Sequence, residues 1–285
     1  MSIFTISRGK ASYGLKEFAE EYCQNEFKFL YDLIDNDEMH YERLDNKNIF
    51  CRYQDIRTYK DNRVKINSPS GYINASWVHM PYTNYFIATQ GPLKHTSEDF
   101  WEMCFTYDIN IIIMLCKLKE NNMEKCYNYW DVNLMGYKII KTSNEIKDEE
   151  GLIIRKFQLI KKTNNEAKNI VQIHLQSWDD HTAPISNYEK IIKIIHFIIE
   201  NKICSPVVVH CSAGVGRTGT FISLFNLYNE IKQQINNKNI KEIQFSIMNL
   251  VRKLKEMRMH LVENEEQYIF LYQFCILLLN QINLI

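Results

Sequence analysis

Glycine and proline are scarce, with 9 and 5 among 285 residues. That excludes collagenous and low-complexity architectures. No Pro/Gly/Ser-rich linker, compositional shift or repeat divides the chain, so one domain over residues 1–285 is expected. Net charge is missing too, because 34 Lys+Arg balance 34 Asp+Glu. A zero balance argues against generic nucleic-acid or membrane-surface binding, so any anion site must be local. No apolar segment of the secretory kind follows Met1. The most apolar stretch, 268–285, is interrupted by Gln273, Asn280 and Gln281. It reads as a buried C-terminal helix and not as a bilayer span. The eight cysteines form no C-x-x-C pair. That scatter fits a reducing, intracellular compartment and no structural zinc; neither a metal nor a cofactor is expected.

What is present suits a packed core: 46% of the residues are hydrophobic and 24% charged. Phe18, Tyr22, Phe29 and Leu33 recur near helical spacing over 15–34. A second helix is expected over 97–107, capped by Thr96 or Ser97 with Asp99 in its first turn. The run 111–116 is apolar throughout, as in a strand covered on both faces. Segments 137–146, 152–160 and 170–175 alternate or are rich in β-branched residues, and charged turns separate them. An amphipathic helix follows at 187–200, a buried strand at 206–210, and helices at 218–233, 246–256 and 265–279. Strands in the middle and helices at both ends imply an α/β (α+β) fold, a mixed sheet flanked by helices.

Between the strand ending at His210 and the helix after it lies Cys211-Ser212-Ala213-Gly214-Val215-Gly216-Arg217. Ala213, Gly214 and Gly216 are small, so backbone N–H groups can converge on one point. The helix N-terminus adds its positive end. Arg217 adds a planar fork for two phosphate oxygens. Residues 211–217 are therefore expected to cradle a phosphoryl dianion. The same field favours a Cys211 thiolate poised for in-line attack on phosphorus. The Thr218 hydroxyl can donate to the sulfur and help it leave. A lone cysteine closing a core strand would be read as structural; this spacing after an apolar strand is not.

From that loop outward, the chain resembles the tyrosine-specific protein tyrosine phosphatases over about residues 25–280. The motifs are Arg52-Tyr53-Gln54-Asp55, Gly71-Tyr72-Ile73-Asn74-Ala75-Ser76, Phe86-Ile87-Ala88-Thr89-Gln90-Gly91-Pro92, Phe100-Trp101, Lys125-Cys126-Tyr127-Asn128-Tyr129-Trp130 and Trp178-Asp179-Asp180-His181. The resemblance implies a twisted mixed sheet with helices on both sides, and hydrolysis of phosphotyrosine in proteins through a cysteinyl-phosphate. Cys211 would be the nucleophile, Arg217 the clamp, and Ser212, Ala213, Gly214, Val215 and Gly216 the phosphate cradle. Asp180 would be the general acid that protonates the leaving phenolate. Tyr53 would stack on the substrate ring in a deep cleft that phosphoserine cannot reach down, and Asp55 would grip its backbone amides. Glu120 and Lys125 would flank the site, with Lys125 pairing to Asp180 when the acid loop closes. His210 would tune Cys211, and Gln267 would lie near the catalytic water.

The sequence departs from the family pattern at three places. Asp179 stands where the acid loop normally has proline, and Thr182 stands where it has glycine. A second carboxylate raises the pKa of one of the pair, which would keep Asp180 protonated to higher pH; a freed backbone would instead leave the loop open. Glu263 stands at the water-positioning glutamine, where it would repel the dianion yet could orient water or act as base. Gln54 replaces a residue that is often basic, so no preference for acidic peptides is carried over. Two other readings compete with an active phosphatase: a low-turnover phosphotyrosine-binding module, and an RNA 5′-phosphatase or dual-specificity enzyme. A bare domain with such an acid loop also resembles the phosphatase paralogues that polydnaviruses deliver into insect hosts, which implies a viral protein acting in host cytoplasm.

Overall fold

The computed structural model describes residues 4–7, 22–35, 48–80, 85–148, 151–237 and 242–281. Among them are β1 (Phe4–Ser7), β2 (Ala75–Val78), β3 (Phe86–Thr89), β4 (Ile111–Met114), β5 (Lys119–Glu120), β6 (Met123–Glu124), β7 (Tyr137–Lys141), β8 (Ile146–Lys147), β9 (Leu152–Lys161), β10 (Ala167–Leu175), β11 (Val207–His210) and β12 (Glu242–Phe245). The α-helices are α1 (Cys23–Asp35), α2 (Ser97–Thr106), α3 (Tyr188–Glu200), α4 (Gly216–Asn236), α5 (Ile247–Met257) and α6 (Glu265–Gln281).

The main sheet runs β2-β3-β11-β4-β10-β9-β7, with β8 also on β9. Its four central strands, β3, β11, β4 and β10, are mutually parallel, and the flanking pairs are antiparallel. Parallel strands are covered on both faces, which is why β3, β4 and β11 are buried at every position. Helices flank this twisted mixed sheet on both sides. On one of them, Phe100 and Trp101 of α2 pack against Tyr129, Phe157 and His210. α4 lies against β3, β11 and β12 and is backed by α5 and α6. α1 docks on α6 through a buried carboxylate: Tyr268 Oη donates to Glu26 at 2.7 Å, and Tyr272 Oη donates to it as well.

Parallel direction decides where the chemistry gathers. The C-terminal ends of β3, β4, β10 and β11 all face one edge of the sheet. The segments that leave them (90–92, 115–120, 176–182 and 211–215) therefore converge there.

The expected elements are found with shifted ends. The helix expected at 15–34 is observed over Cys23–Asp35; positions 15–21 lie outside the described residues. The strand expected at 137–146 is divided, with β7 stopping at Lys141 and β8 pairing separately further along β9. The polar run Thr142-Ser143-Asn144 favours a turn over a continued ladder. α6 carries the apolar C-terminal stretch as far as Gln281 and buries Tyr268, Phe270, Leu271, Phe274 and Leu278; positions 282–285 lie outside the described residues. Among the described residues no helix is long and apolar enough to cross a membrane.

Candidate active site

Residues 211–216 turn between β11 and α4, and Gly214 makes the turn possible. Its φ is +74°, and a Cβ there would stand 2.1 Å from the Thr89 carbonyl oxygen. Any other residue would be both strained and in collision. The loop's carbonyls are drawn outward. Gly91 N donates to Ser212 O at 2.8 Å. Arg258 Nε donates to Gly214 O at 2.8 Å, and its Nη2 to Ala213 O at 3.0 Å. C=O and N–H point oppositely across a peptide, so holding the carbonyls outside leaves the amides facing the concave side. Arg258 is fully buried, and its other donors reach Asn74 Oδ1 at 2.8 Å and Ser76 Oγ at 3.2 Å. Burial pulls its guanidinium down to about 10, with Tyr72 and Cys211 opposing. Arg258 was not among the residues expected at the site, because a lone arginine just past a helix end carries no motif.

Cys211 sits at the base of this loop, 4% exposed. Arg217, which feels the Cys211 charge, has a side chain only 1% exposed. Its Nη1 and Nη2 donate to the two Glu120 carboxylate oxygens at 2.8 and 3.1 Å. Nη1 also reaches Trp178 O at 2.9 Å, and Nη2 reaches Asp180 Oδ1 at 2.9 Å. The 178–182 loop is thus bound to the Arg217 guanidinium. Lys125 Nζ holds the other Asp180 oxygen at 2.6 Å. Burial works against the Lys125 ammonium, but Asp180 more than offsets it and holds its pKa above the usual lysine value.

The effect expected of Asp179 on Asp180 is overturned. Burial alone would raise the Asp180 carboxyl, but Arg217, Lys125 and His181 together hold it below the usual carboxylate range. Asp179 does not face its neighbour. Its side chain is 73% exposed and pairs with Lys117 Nζ at 3.1 Å. Successive loop side chains diverge, so adjacency in sequence did not become proximity. The loop keeps its shape with Thr182 in place of glycine: Trp178 Nε1 donates to Thr182 O, and Thr182 Oγ1 donates to Asp179 O, both at 2.9 Å. The left-handed conformation falls on His181, with φ 57°.

Tyr53 is brought to the loop from far away in sequence. Its hydroxyl lies 2.9 Å from Ser212 Oγ, and Ser212 donates its single hydrogen to Lys125 O at 2.9 Å. Tyr53 is therefore the donor, leaving its ring as a half-buried wall beside the cradle. Arg52 rivets this segment down, donating through Nε to Gly91 O at 3.0 Å and through Nη2 to Pro92 O at 2.8 Å. Gln54 and Asp55 are exposed at the rim.

Glu263 and Gln267 stand on the opposite side. A Cβ on Gly216 would meet Glu263 Oε2 at 2.6 Å and Gln267 Nε2 at 3.1 Å, so both press on the first residue of α4. Gln267 is buried and accepts from Glu263 N at 3.2 Å. Burial pushes the Glu263 carboxyl above its usual value, with His181 opposing and Asp180 adding to the rise. His181 was quoted only as part of the acid-loop motif. It lies between the two acids, 3.7 Å from Asp180 and 3.9 Å from Glu263, and its carbonyl accepts from Asn264 Nδ2 at 2.9 Å. The hydrogen bond expected from Thr218 to the Cys211 sulfur is not formed: Thr218 Oγ1 is buried without a partner. His210 is buried and neutral, pulled down to about 4 by desolvation.

The Cys211 thiol, the Arg217 guanidinium, the Asp180 carboxylate and the Tyr53 ring thus gather at one edge of the sheet. The family model for protein-tyrosine phosphatase matches residues 47–277. The chain belongs to the protein-tyrosine phosphatase family. Tyrosine-protein phosphatase non-receptor type 20 of Homo sapiens is 32% identical over 240 residues, covering 81% of this chain and 54% of the relative. Tyrosine-protein phosphatase 2 of Dictyostelium discoideum is 34% identical over 206 residues, covering 71% and 53%. This phosphatase-family chain therefore spans about half the length of those relatives. Among solved structures, one of PTPN18 superposes with a TM-score of 0.79 at 25% identity, covering 92% of this chain and 97% of that one. A complex of PTPN18 with HER2 phosphopeptides gives 0.82 at 23% identity, which speaks to the fold.

Proposed function

We propose that the chain, acting as one catalytic domain, hydrolyses phosphotyrosine in proteins through a cysteinyl-phosphate. The observation that carries this is Tyr53, whose hydroxyl is tied at 2.9 Å to Ser212, the residue next to Cys211. An aryl phosphate whose ring rests on Tyr53 would present its phosphorus to the sulfur. The Cys211 thiolate attacks phosphorus; the S–P bond forms as the P–O(aryl) bond breaks, and Asp180 gives its proton to the departing phenolate oxygen. Water then attacks the cysteinyl-phosphate, Asp180 takes the water's proton, and sulfur leaves as thiolate with inorganic phosphate released.

Against burial, Arg217 and Lys125 hold the Asp180 carboxyl below its usual pKa. A bound dianion would take over Arg217 and add negative charge beside the carboxyl, and both changes raise its pKa towards the protonated form the first step needs. A second reading, a low-turnover phosphotyrosine-binding module, draws on Glu263, whose carboxylate stands over Gly216 where the cradle meets α4.

The test is phosphate release from a phosphotyrosine peptide, a phosphoserine peptide and triphosphorylated RNA, with Cys211→Ser as control. Release from phosphotyrosine alone supports the proposal. Binding without release favours the module, and release from RNA overturns both.

A further inference from the structure

A chain of buried polar groups leads from β9 to the nucleophile. Arg155 Nη1 donates to Gln172 Oε1 at 2.8 Å, across the ladder where the two residues stand opposite each other. Gln172 Nε2 lies 2.7 Å from Tyr129 Oη. Tyr129 Oη lies 2.9 Å from His210 Nε2, and His210 Nδ1 lies 3.1 Å from the Cys211 carbonyl oxygen. Gln172, Tyr129 and His210 are 0% exposed, so no water settles the direction of these bonds.

Chemistry settles it. A guanidinium has donors and no acceptor. Arg155 must donate, so Gln172 turns its carbonyl to Arg155 and its NH2 to Tyr129. The single Tyr129 hydrogen is then left for His210 Nε2. Neutral His210 carries its own proton on Nδ1 and donates it to Cys211 O. Arg155 is itself held firmly: Nε is 2.8 Å from Glu145 Oε1, and Cζ is 4.5 Å above the Trp130 ring. Its Nη1 also faces His174 Nδ1 at 3.1 Å, which makes that ring the donor to Cys116 O at 2.7 Å.

Without Arg155 the Gln172 amide can flip. Its carbonyl would then take the Tyr129 hydrogen, and His210 would keep its proton on Nε2. The bare Nδ1 would face the Cys211 carbonyl, two acceptors in contact. The Cys211–Ser212 peptide would have to swing, and the N–H of that peptide belongs to the phosphate cradle.

We propose that Arg155 is a positioning residue for Cys211, setting the polarity of the Gln172–Tyr129–His210 chain and through it the orientation of the peptide that follows the nucleophile. This rests on the reading of Cys211 as nucleophile. Among the described residues Arg217 and Arg258 also bear on Cys211, and neither donates to Gln172, Tyr129 or His210.

The test follows iodoacetamide alkylation of Cys211 against pH, which needs no turnover. Arg155→Met should move the midpoint of that profile up by about half to one pH unit. The fault reaches His210 only through the Tyr129 hydroxyl, so in a Tyr129→Phe background Arg155→Met should add nothing. Gln172→Glu keeps Arg155 and gives it a counter-ion, so it guards against misfolding; it presents an acceptor to Tyr129 and should produce the same shift, again abolished by Tyr129→Phe. Thermal melts check that each variant is folded. Equal shifts in both backgrounds, or no shift from Arg155→Met and Gln172→Glu, overturn the proposal. Wild-type protein that shows this alkylation pattern without releasing phosphate would fault the proposed activity and leave the positioning role standing.

Discussion

Replacing Glu263 by glutamine removes one negative charge from the wall of the phosphate loop. The carboxylate presses on Gly216, the first residue of the helix whose N-terminus would face a bound phosphoryl group. Two like unit charges about 6 Å apart repel by ~3 kcal/mol at an effective dielectric of 20. The Glu263 side chain is 35% exposed, and solvent screening reduces this to roughly 1–2 kcal/mol. That is about tenfold in rate. The pH dependence has a definite sign. Burial raises the Glu263 pKa, so the wild-type group is neutral and glutamine-like at low pH and ionises later than an ordinary glutamate. The ratio of Glu263→Gln to wild-type turnover should therefore be near one in acid and rise to about ten as pH passes upward through that pKa. Stopped-flow release of phenol from an aryl phosphate, a burst followed by a steady rate, measures it. A ratio of one at every pH would refute the electrostatic argument. A ratio below one at neutral pH would show that Glu263 serves the second step as base or water ligand.

Arg258→Met should lower stability by about 3–5 kcal/mol, since it orphans buried partners on the loop and on Asn74. That is roughly 10 °C in Tm for a domain of this size, and a melting curve near wild type would contradict it. Asp180→Asn withdraws a carboxylate charge from Arg217 and Lys125. Vanadate should then inhibit at about tenfold lower concentration, while turnover falls by about 10²-fold or more; weaker vanadate binding would count against the clamp being shared. Gly214→Ala should fail to give a folded, anion-binding protein, given φ +74° and a Cβ 2.1 Å from Thr89 O; circular dichroism and phosphate titration decide it.

The parts of the site that could be read from the chain are those confined to one stretch of backbone. Cys211 to Arg217 is a single turn between a strand and a helix, and its spacing already dictates converging amides and a nearby guanidinium. β4 and β11 were likewise legible, because a short uninterrupted apolar run has few places to go other than the middle of a sheet. The acid loop was legible as a motif but not as electrostatics. Asp179 and Asp180 are neighbours in sequence, yet one turns to Lys117 and the other to Arg217 and Lys125.

By itself, then, the sequence determined the tight 211–217 turn between strand and helix and the family, since local backbone conformation follows from residue size and spacing. Tertiary structure alone decided that Arg258 draws the loop carbonyls outward, that Thr218 is left without a partner, and that His181 sits between Asp180 and Glu263. It also decided that Arg155 stands at the head of a hydrogen-bond chain ending at Cys211. Each of these depends on which strands are neighbours and where loops from distant segments cross. Strand order and crossover direction set those contacts, and neither leaves a periodic mark on the residues involved.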